Sequence, residues 1–265
     1  MGEGHKAVKL SKRLLAVAGM VTEGNMVCDV GCDHGFVSIY LIQKGISARV
    51  IAMDVNEGPL RAAGEHVGEF GLSDYIETRL SDGVAALGTG EADTLICGGM
   101  GGRLIKRIME EGKEKIRQMR EVILQPQSEI AMVREYLRKE GYAVADEKMV
   151  LEEGKYYPVI KALPVFSVQE DWEKKDGGRR EEADSAEPEQ GGEPEDAGWR
   201  KIEDKYGPVL LKKKDPVLED YLRREYSLCM QIMENLRENG RETEGRQEEI
   251  ADRIRGVEAA LSCYR

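Results

Sequence analysis

Residues 29–36 have the sequence Asp-Val-Gly-Cys-Asp-His-Gly-Phe, which places an acidic side chain, two glycines and an Asp-His pair close together. The glycines Gly31 and Gly35 allow a backbone turn to approach a ligand closely before a helix begins. The spacing differs from the Gly-x-Gly-x-x-Gly of pyrophosphate binding, because Cys-Asp-His separates the two glycines. Asp29 lies two residues before the first glycine and suits a ligand with a cationic amino group, such as S-adenosylmethionine.

Two further acidic residues follow later predicted strands. Asp54, followed by Val55, comes about twenty residues after the glycine turn, where a carboxylate can accept both ribose hydroxyls of an adenosine-type ligand. The alternative for Asp54 is a strand-end residue that only caps the next helix. Asp82 and Gly83 follow the third strand, where they either meet an adenine N6 amine or form a plain turn.

A glycine-rich stretch ends the fourth predicted strand. Residues 98–102 are Gly-Gly-Met-Gly-Gly, and a simple tight turn does not need four glycines. Ligand sites in open α/β sheets lie beyond the carboxyl ends of the strands, near the switch in strand order. We therefore expect Gly98, Gly99 and Met100 to border the same ligand.

These motifs require an alternation of strands and helices. Short apolar or β-branched runs predict strands, and amphipathic segments between them predict helices. The predicted strands are 26–30, 49–55, 75–80, 94–97 and 122–125, followed by a hairpin of 142–151 and 156–163. The predicted helices are 8–20, 37–44, 57–70, 103–119 and 128–140, the last with Ser128 as N-cap and Gly141 as C-terminal stop. This order predicts a Rossmann-like α/β fold with a mostly parallel, seven-stranded sheet covered on both faces.

An acidic segment divides the chain. Although the whole chain has a net charge of −11, residues 165–200 alone carry 12 Asp and Glu against 5 Lys and Arg. The core of this segment has no large apolar side chain with which to offset its ordering entropy, so it is predicted to be a flexible linker or surface insertion. An acidic interaction tail is the functional alternative. We thus expect domains at 1–164 and 201–265, separated by a linker at 165–200.

The C-terminal domain is predicted to be an antiparallel helical hairpin, or coiled coil. Its apolar seam consists of Leu218, Leu222, Cys229, Ile232 and Leu236, then Ile250, Ile254, Val257 and Leu261. Glu225 occupies the one seam position that is not apolar. Asn239, Gly240 and Gly245 are expected to form the turn between the two helices.

Other features exclude several protein classes. The longest apolar run is far too short for a membrane span, and the N-terminus lacks the order of a signal peptide. The five cysteines do not suggest a disulfide framework, and Cys28 and Cys32 have no second ligand pair at zinc spacing. We expect a cytoplasmic protein, a monomer, that binds no metal and no membrane.

Taken together, the motifs resemble class I S-adenosylmethionine-dependent methyltransferases, and more narrowly the bacterial tRNA (adenine(22)-N1)-methyltransferase family. The stretches that carry the resemblance are residues 10–14, 29–41, 81–83, 98–102, 123–127, 153–160, 206–208 and 214–217. The resemblance implies S-adenosyl-L-methionine as cofactor, tRNA as partner and adenine N1 as the methylated atom. It also implies that Gly31, Asp33, His34 and Gly35 shape the cofactor turn.

Three residues of the turn are candidates for catalysis. Asp33 stabilises the adenine cation or takes its N6 proton, or it instead contacts the cofactor. His34 has either a catalytic or a structural, hydrogen-bonded role. Phe36 either stacks on an unpaired target base or packs in the first turn of a helix.

Three functions remain open at this level: a tRNA adenine-N1 methyltransferase, a methyltransferase of a small molecule or protein, and a non-catalytic RNA-binding module with a residual cofactor pocket. The helical hairpin either packs only against itself or also grips tRNA. Basic residues that could contact RNA are Lys6, Lys9, Lys12 and Arg13 near the first helix and Lys212, Lys213 and Lys214 before the hairpin.

Overall fold

The computed structural model describes residues 7–165, 194–238 and 244–265. They belong to two compact units, Met1–Ala183 and Asp184–Arg265. Within those three ranges, none of the helices has the length and apolar character needed to cross a membrane.

The described part of the first unit alternates strands and helices around one sheet. Its strands are β1 (Val27–Val30), β2 (Val50–Asp54), β3 (Ile76–Leu80), β4 (Thr94–Gly101), β5 (Glu121–Ser128), β6 (Tyr142–Glu152) and β7 (Lys155–Pro164). Its helices are α1 (Lys12–Ala18), α2 (Phe36–Gln43), α3 (Glu57–Glu69), α4 (Gly102–Glu111), α5 (Lys113–Ile116) and α6 (Ile130–Lys139). The strand order is β3-β2-β1-β4-β5-β7-β6. Strand β7 runs in the direction opposite to that of the other six strands. The prediction of a mostly parallel, seven-stranded sheet is confirmed.

Alternate residues of each strand face opposite sides of this sheet, because successive side chains of a strand point in opposite directions. On one face Val27, Val50 and Ile96 pack with residues of α1, α2 and α3. On the other face Cys28 and Leu95 pack with residues of α4, α5 and α6. The sheet is therefore the middle layer of three, with helices packed on both of its faces.

The strand order reverses at β1. The chain proceeds from β1 to β2 and β3 in one direction, then crosses back so that β4 pairs with the other side of β1. The connections that leave β1 and β4 diverge to opposite faces of the sheet, which opens a crevice between these two strands. Asp29 pairs in register with Ala52 on one side and Ile96 on the other, so it lies at the centre of this reversal.

Two predicted boundaries in this unit differ from the structure, and a third agrees with it. The predicted helix 103–119 is broken at Gly112, where an added Cβ would approach Val84 Cγ2 to 2.2 Å, so only glycine allows this close packing. Ser128 is the last residue of β5 and not an N-cap; Glu129, with a φ of 46°, precedes α6 instead. Gly141 does follow α6 in the left-handed conformation, with a φ of 76°, as predicted.

The second unit is entirely helical in its described residues, with α7 (Pro194–Tyr206), α8 (Pro208–Lys213), α9 (Pro216–Glu238) and α10 (Glu244–Ser262). Helices α9 and α10 are antiparallel, because Tyr226 contacts Glu258 and Tyr264 donates a hydrogen bond to the carbonyl of Asp215. A coiled-coil geometry is not shown. The hairpin was predicted, whereas α7 and α8 before it were not.

Two predicted boundaries of this unit also differ from the structure. Residues 194–200 of the predicted linker form the start of α7, and Gly245 lies in the first turn of α10 rather than in a turn between helices. The remainder of the acidic linker, residues 166–193, and the predicted turn at Asn239 and Gly240 lie outside the described residues.

The acidic residue in the apolar seam has a structural explanation. Glu225 is 7% exposed and accepts hydrogen bonds from Lys205, Tyr206 and Arg253 at 3.1, 3.2 and 3.3 Å. A buried carboxylate is tolerated when its lone pairs are satisfied by positive and polar donors. Glu225 thus joins α7, α9 and α10 at one point.

Glu121 plays a similar role in the first unit, at the start of β5. Its side chain is 2% exposed and accepts hydrogen bonds from the backbone N–H of Thr22, the hydroxyl of Thr94 and the ammonium of Lys161. Burial alone would raise the pKa of Glu121, but these donors outweigh burial and hold the pKa below its ordinary value of 4.5.

We predict that Glu121→Gln lowers the free energy of unfolding at pH 7 by roughly 2 kcal/mol, because a charge-assisted network is lost. A carboxyl group with a lowered pKa stabilises the folded state above its ordinary pKa, and that contribution disappears as the pH falls through the lowered value. The difference between wild type and variant, measured by urea unfolding, should therefore shrink in acid. Glu114→Gln, at an exposed position, is the control. A pH-independent difference would contradict this explanation.

Candidate functional site

A cavity of about 400 Å³ lies at the carboxyl ends of β1, β2 and β4. The predicted site residues that line it are Asp29, Gly31, Asp33, His34, Phe36, Asp54, Val55, Gly98, Gly99 and Met100. Segments far apart in the chain therefore meet around one space, at the place where the strand order reverses.

Asp29 is a buried carboxylate in the wall of this cavity. It is 4% exposed, and Ser38 of α2 donates a hydrogen bond to its Oδ2 at 2.7 Å. Burial raises the pKa of Asp29 to about 6; the hydrogen bond from Ser38 lowers it, and the charge of Asp54 raises it further. A cationic ligand group beside Asp29 would favour its ionised form.

The glycine turn between β1 and α2 depends on left-handed backbone conformations. Gly31 has a φ of 72°, and an added Cβ would come within 2.2 Å of Met100 Cε. Gly35, with a φ of 73°, does not line the cavity, but it precedes α2 directly, and its added Cβ would lie 3.2 Å from Ala63 Cβ of α3. Both glycines are needed for close packing around the turn.

Asp54 ends β2 and is oriented by the backbone. Its Oδ1 accepts a hydrogen bond from the N–H of Asn56 at 2.9 Å, and the N–H of Asp33 lies 3.3 Å from its Oδ2. The carboxylate, which is 7% exposed, thus links the end of β2 to the glycine turn. The hydrogen bond from Asn56 holds the segment before α3, although Asn56 and not Asp54 is the N-cap residue of that helix. A ligand role for Asp54 stays a prediction.

The glycine-rich stretch is part of β4 rather than a loop beyond it. Strand β4 continues to Gly101 and pairs with β5 through register shifts around Met100. These bulges turn the backbone of Gly98 and Gly99 toward the cavity and place Met100 over Gly31. The prediction of a strand ending at residue 97 was therefore too short.

Asp82 and Gly83 lie elsewhere. They line a separate, smaller pocket of about 70 Å³ together with residues of α4 and α5. Both carboxylate oxygens of Asp82 accept hydrogen bonds from Arg107, at 2.8 and 3.1 Å. The structure does not bring these two residues to the wall of the large cavity, and their place beside an adenine stays a prediction.

The exposed rim of the cavity carries Asp33 and two aromatic rings. The side chains of Asp33 and His34 are 71% and 51% exposed, and His34 Nε2 lies 3.7 Å from Asp33 Oδ1. Asp33 has a φ of 51°, a left-handed conformation that is uncommon outside glycine. The ring of Phe36 stacks on that of His34 with 5.7 Å between centroids. Phe36 therefore packs against a neighbouring ring and also lines the cavity.

Sequence reasoning missed two polar residues of the cavity wall, Arg13 and Gln127, and the buried Gln125 that holds Arg13. Arg13 donates a hydrogen bond to Gln125 Oε1 at 2.8 Å and lies over the ring of Tyr157, and the same oxygen accepts the N–H of Gly99 at 3.1 Å. Arg13 was assigned to an RNA-binding cluster because its charge gives no indication of the direction in which it points. In the structure Arg13 and Gln127 line the cavity.

Among the described residues, no group of three or more His, Cys, Asp or Glu side chains is arranged to hold a metal ion. Cys28, Cys32 and Cys97 are buried, and burial raises the pKa of all three thiols. Their thiols are therefore protonated at neutral pH and unsuited to act as nucleophiles.

Known proteins share both the fold and parts of the sequence. In Bacillus subtilis (strain 168), the protein named tRNA (adenine(22)-N(1))-methyltransferase is 39% identical over 155 residues. That match covers 58% of this chain and 65% of the relative, which is less than two thirds of the relative's length.

Solved structures align over most of the chain. The crystal structure of the B. subtilis m1A22 tRNA methyltransferase TrmK gives a TM-score of 0.74 at 29% identity, covering 96% of this chain and 99% of that chain. Sp1610 of Streptococcus pneumoniae, solved in complex with S-adenosyl-L-methionine, gives a TM-score of 0.73 at 28% identity, covering 96% and 100%.

The family model described as a methyltransferase domain matches residues 10–160. That range contains every residue that lines the large cavity as well as the strands β1 to β5 that form it. The chain therefore belongs to the methyltransferase-domain family.

Proposed function

We propose that this protein transfers a methyl group from S-adenosyl-L-methionine to N1 of an adenine in tRNA, at the position of adenine 22. The observation that carries the proposal is the cavity at the strand-order reversal, with Asp29 and Asp54 in its wall. The named B. subtilis relative and the aligned TrmK structure support the choice of tRNA and of the methylated atom.

The donor set of the cavity fits the three polar parts of this cofactor. Asp29 suits the α-amino group, since a buried carboxylate gains most from a cationic partner. Arg13, held by Gln125 and Tyr157, suits the carboxylate of the methionine moiety. Asp54 suits the two ribose hydroxyls, because the backbone already fixes the direction of its oxygens. The missing Cβ atoms of Gly98 and Gly99 leave room for the ligand beside them.

The glycine-rich end of β4 provides no polar side chain that could activate an acceptor group, which suits adenine N1. An exocyclic amine needs its lone pair withdrawn from conjugation, whereas adenine N1 already has an in-plane lone pair. The protein then has only to hold N1 in line with the methyl group, and positioning of this kind can supply a large part of the rate enhancement. S-adenosylmethionine supplies a methyl group bonded to a sulfonium. When the methyl group is transferred, the sulfonium becomes a neutral thioether.

Methylation at N1 leaves a positive charge on the adenine, which is relieved when N6 loses a proton. Asp33 is at the rim of the cavity with an exposed carboxylate, so it can stabilise that charge or accept the proton. We assign this role to Asp33 rather than to Asp54, because the oxygens of Asp54 already accept hydrogen bonds from backbone N–H groups.

A tRNA is large, and the rim residues are accessible to it. The target base must leave its pair or stack to expose N1, and the ring of Phe36 offers a face on which it can stack. Exposed lysines near the first helix and in the second unit, Lys9, Lys12, Lys212, Lys213 and Lys214, supply charge for the phosphate backbone. The helical second unit is proposed to help grip the tRNA.

The contacts of Arg13 and Asp54 with the cofactor can be separated with two ligands. 5′-Methylthioadenosine lacks the amino and carboxylate groups of S-adenosylhomocysteine but retains its ribose. We expect Arg13→Ala to weaken binding of S-adenosylhomocysteine about 10- to 100-fold, since a charge-assisted contact is lost, and to leave binding of methylthioadenosine nearly unchanged. Asp54→Ala should weaken both ligands. Isothermal titration calorimetry measures all four combinations.

Lys12→Ala is the matched control for Arg13→Ala, because it removes a neighbouring positive charge that is exposed and does not line the cavity. If Arg13→Ala weakened the two ligands equally, the assignment of Arg13 to the carboxylate would be wrong. Unchanged affinity of Asp54→Ala for both ligands would remove the proposed ribose contact.

The raised pKa of Asp29 makes cofactor binding dependent on pH. The cationic amino group binds the ionised carboxylate, so affinity for S-adenosylhomocysteine should fall as the pH drops through about 6, where Asp29 becomes protonated. Asp29→Asn should bind more weakly and show a flatter pH profile. Methylthioadenosine, which has no amino group, is the control ligand. An affinity for S-adenosylhomocysteine that stays constant in wild type between about pH 5 and 8 would contradict the contact.

The acceptor position is tested with unmodified tRNA transcripts. A methyl group on N1 blocks base pairing, so reverse transcription of treated tRNA should stop at adenine 22. A transcript with guanine at this position should accept no methyl group from radiolabelled cofactor, whereas replacement of another adenine in the same stem-loop should have little effect. Methyl incorporation that survives the change at position 22 would exclude this site.

A further inference from the structure

Three rings form a compact cluster at the rim of the cavity. Phe36 stacks on His66 of α3 with 4.8 Å between centroids and 24° between planes. His34 lies 5.7 Å from Phe36 and 5.6 Å from His66. His34 and Phe36 line the cavity, whereas His66 does not, so His66 supports the ring that faces the cavity from behind.

A hydrogen bond connects the same histidine to the backbone of the turn. His66 Nδ1 lies 3.0 Å from the carbonyl oxygen of His34. Because a carbonyl oxygen only accepts hydrogen bonds, Nδ1 carries the proton in this contact. His66 thus contacts both the ring of Phe36 and the peptide group two residues before it, which restricts the ring plane and the backbone together.

The packing of α3 against the turn explains how His66 reaches both partners. An added Cβ on Gly35, between His34 and Phe36, would lie only 3.2 Å from Ala63 Cβ. Ala63 is three residues before His66, on the same side of α3. The glycine therefore allows α3 to approach until the imidazole of His66 reaches both of its partners.

We propose that His66 is a positioning residue for the acceptor base: it fixes the plane of Phe36, and the base stacks on the part of that ring that lines the cavity. This inference rests on the proposed function, since it specifies how the acceptor adenine is oriented beside the cofactor. Stacking of a base on an aromatic side chain depends on the ring plane, so a Phe36 that can rotate holds N1 less well in line.

The test compares three variants of the full chain with tRNA as substrate. His66→Ala removes both contacts and should lower kcat/KM for tRNA about three- to tenfold, the loss that corresponds to one aromatic pair. The dissociation constant of S-adenosylmethionine should change by less than about twofold, because His66 does not line the cavity. His66→Phe keeps the ring and should recover most of the activity. Glu65→Ala, exposed on the same helix, is the control and should resemble wild type.

The outcomes separate this inference from the proposed function. If wild type methylates tRNA and His66→Ala does so with unchanged kcat/KM, the positioning role of His66 is wrong and the proposed function stands. If His66→Ala weakens cofactor binding as much as it lowers kcat/KM, His66 only maintains the turn, and the positioning role is again wrong. If wild type methylates no tRNA, the proposed function fails and this inference fails with it.

Discussion

The position of β1 between β2 and β4 is the constraint on which the site depends. Two connections leave the sheet in opposite directions at this point, so the backbone itself keeps a crevice open at the carboxyl ends of the strands. Asp29 is within β1 and therefore lies at the bottom of this crevice, and the side chain of Ser38 orients it. Asp29, Asp54 and Arg13 are each held by a hydrogen bond within the protein, which reduces the cost of ordering them on binding.

Around this crevice, small residues set the distances between elements. The glycine turn after β1 brings Met100 against Gly31 and Ala63 against Gly35, so that the end of β4 and the helix α3 both touch the same short loop. The carboxylate of Asp54 joins the end of β2 to that loop. The segments that follow β1, β2 and β4 are thus held to one another by close contacts at the glycine turn. The aromatic rings at the rim of the cavity are positioned by this packing.

Much of the architecture could be predicted because it depends on local patterns. Buried strands, the glycine turn and the acidic residue at the end of β2 all have signals within a few residues, and the structure places Asp29, Gly31 and Asp54 around one cavity. Arg13 could not be assigned in the same way. It is one of several basic residues near α1, and only the packing of that helix decides which of them points toward the cavity. The contact of His66 with the glycine turn also depends on how closely α3 approaches.

The proposed methyl transfer to adenine N1 is tested most directly by identifying the methylated nucleoside. The protein is incubated with S-adenosylmethionine carrying a deuterated methyl group and with unmodified tRNA, and the tRNA is digested to nucleosides for chromatography and mass spectrometry. We expect one labelled product, 1-methyladenosine. After digestion near neutral pH, which avoids the alkaline rearrangement of 1-methyladenosine to N6-methyladenosine, label in N6-methyladenosine or in another nucleoside, or no label in tRNA at all, would contradict the proposed function.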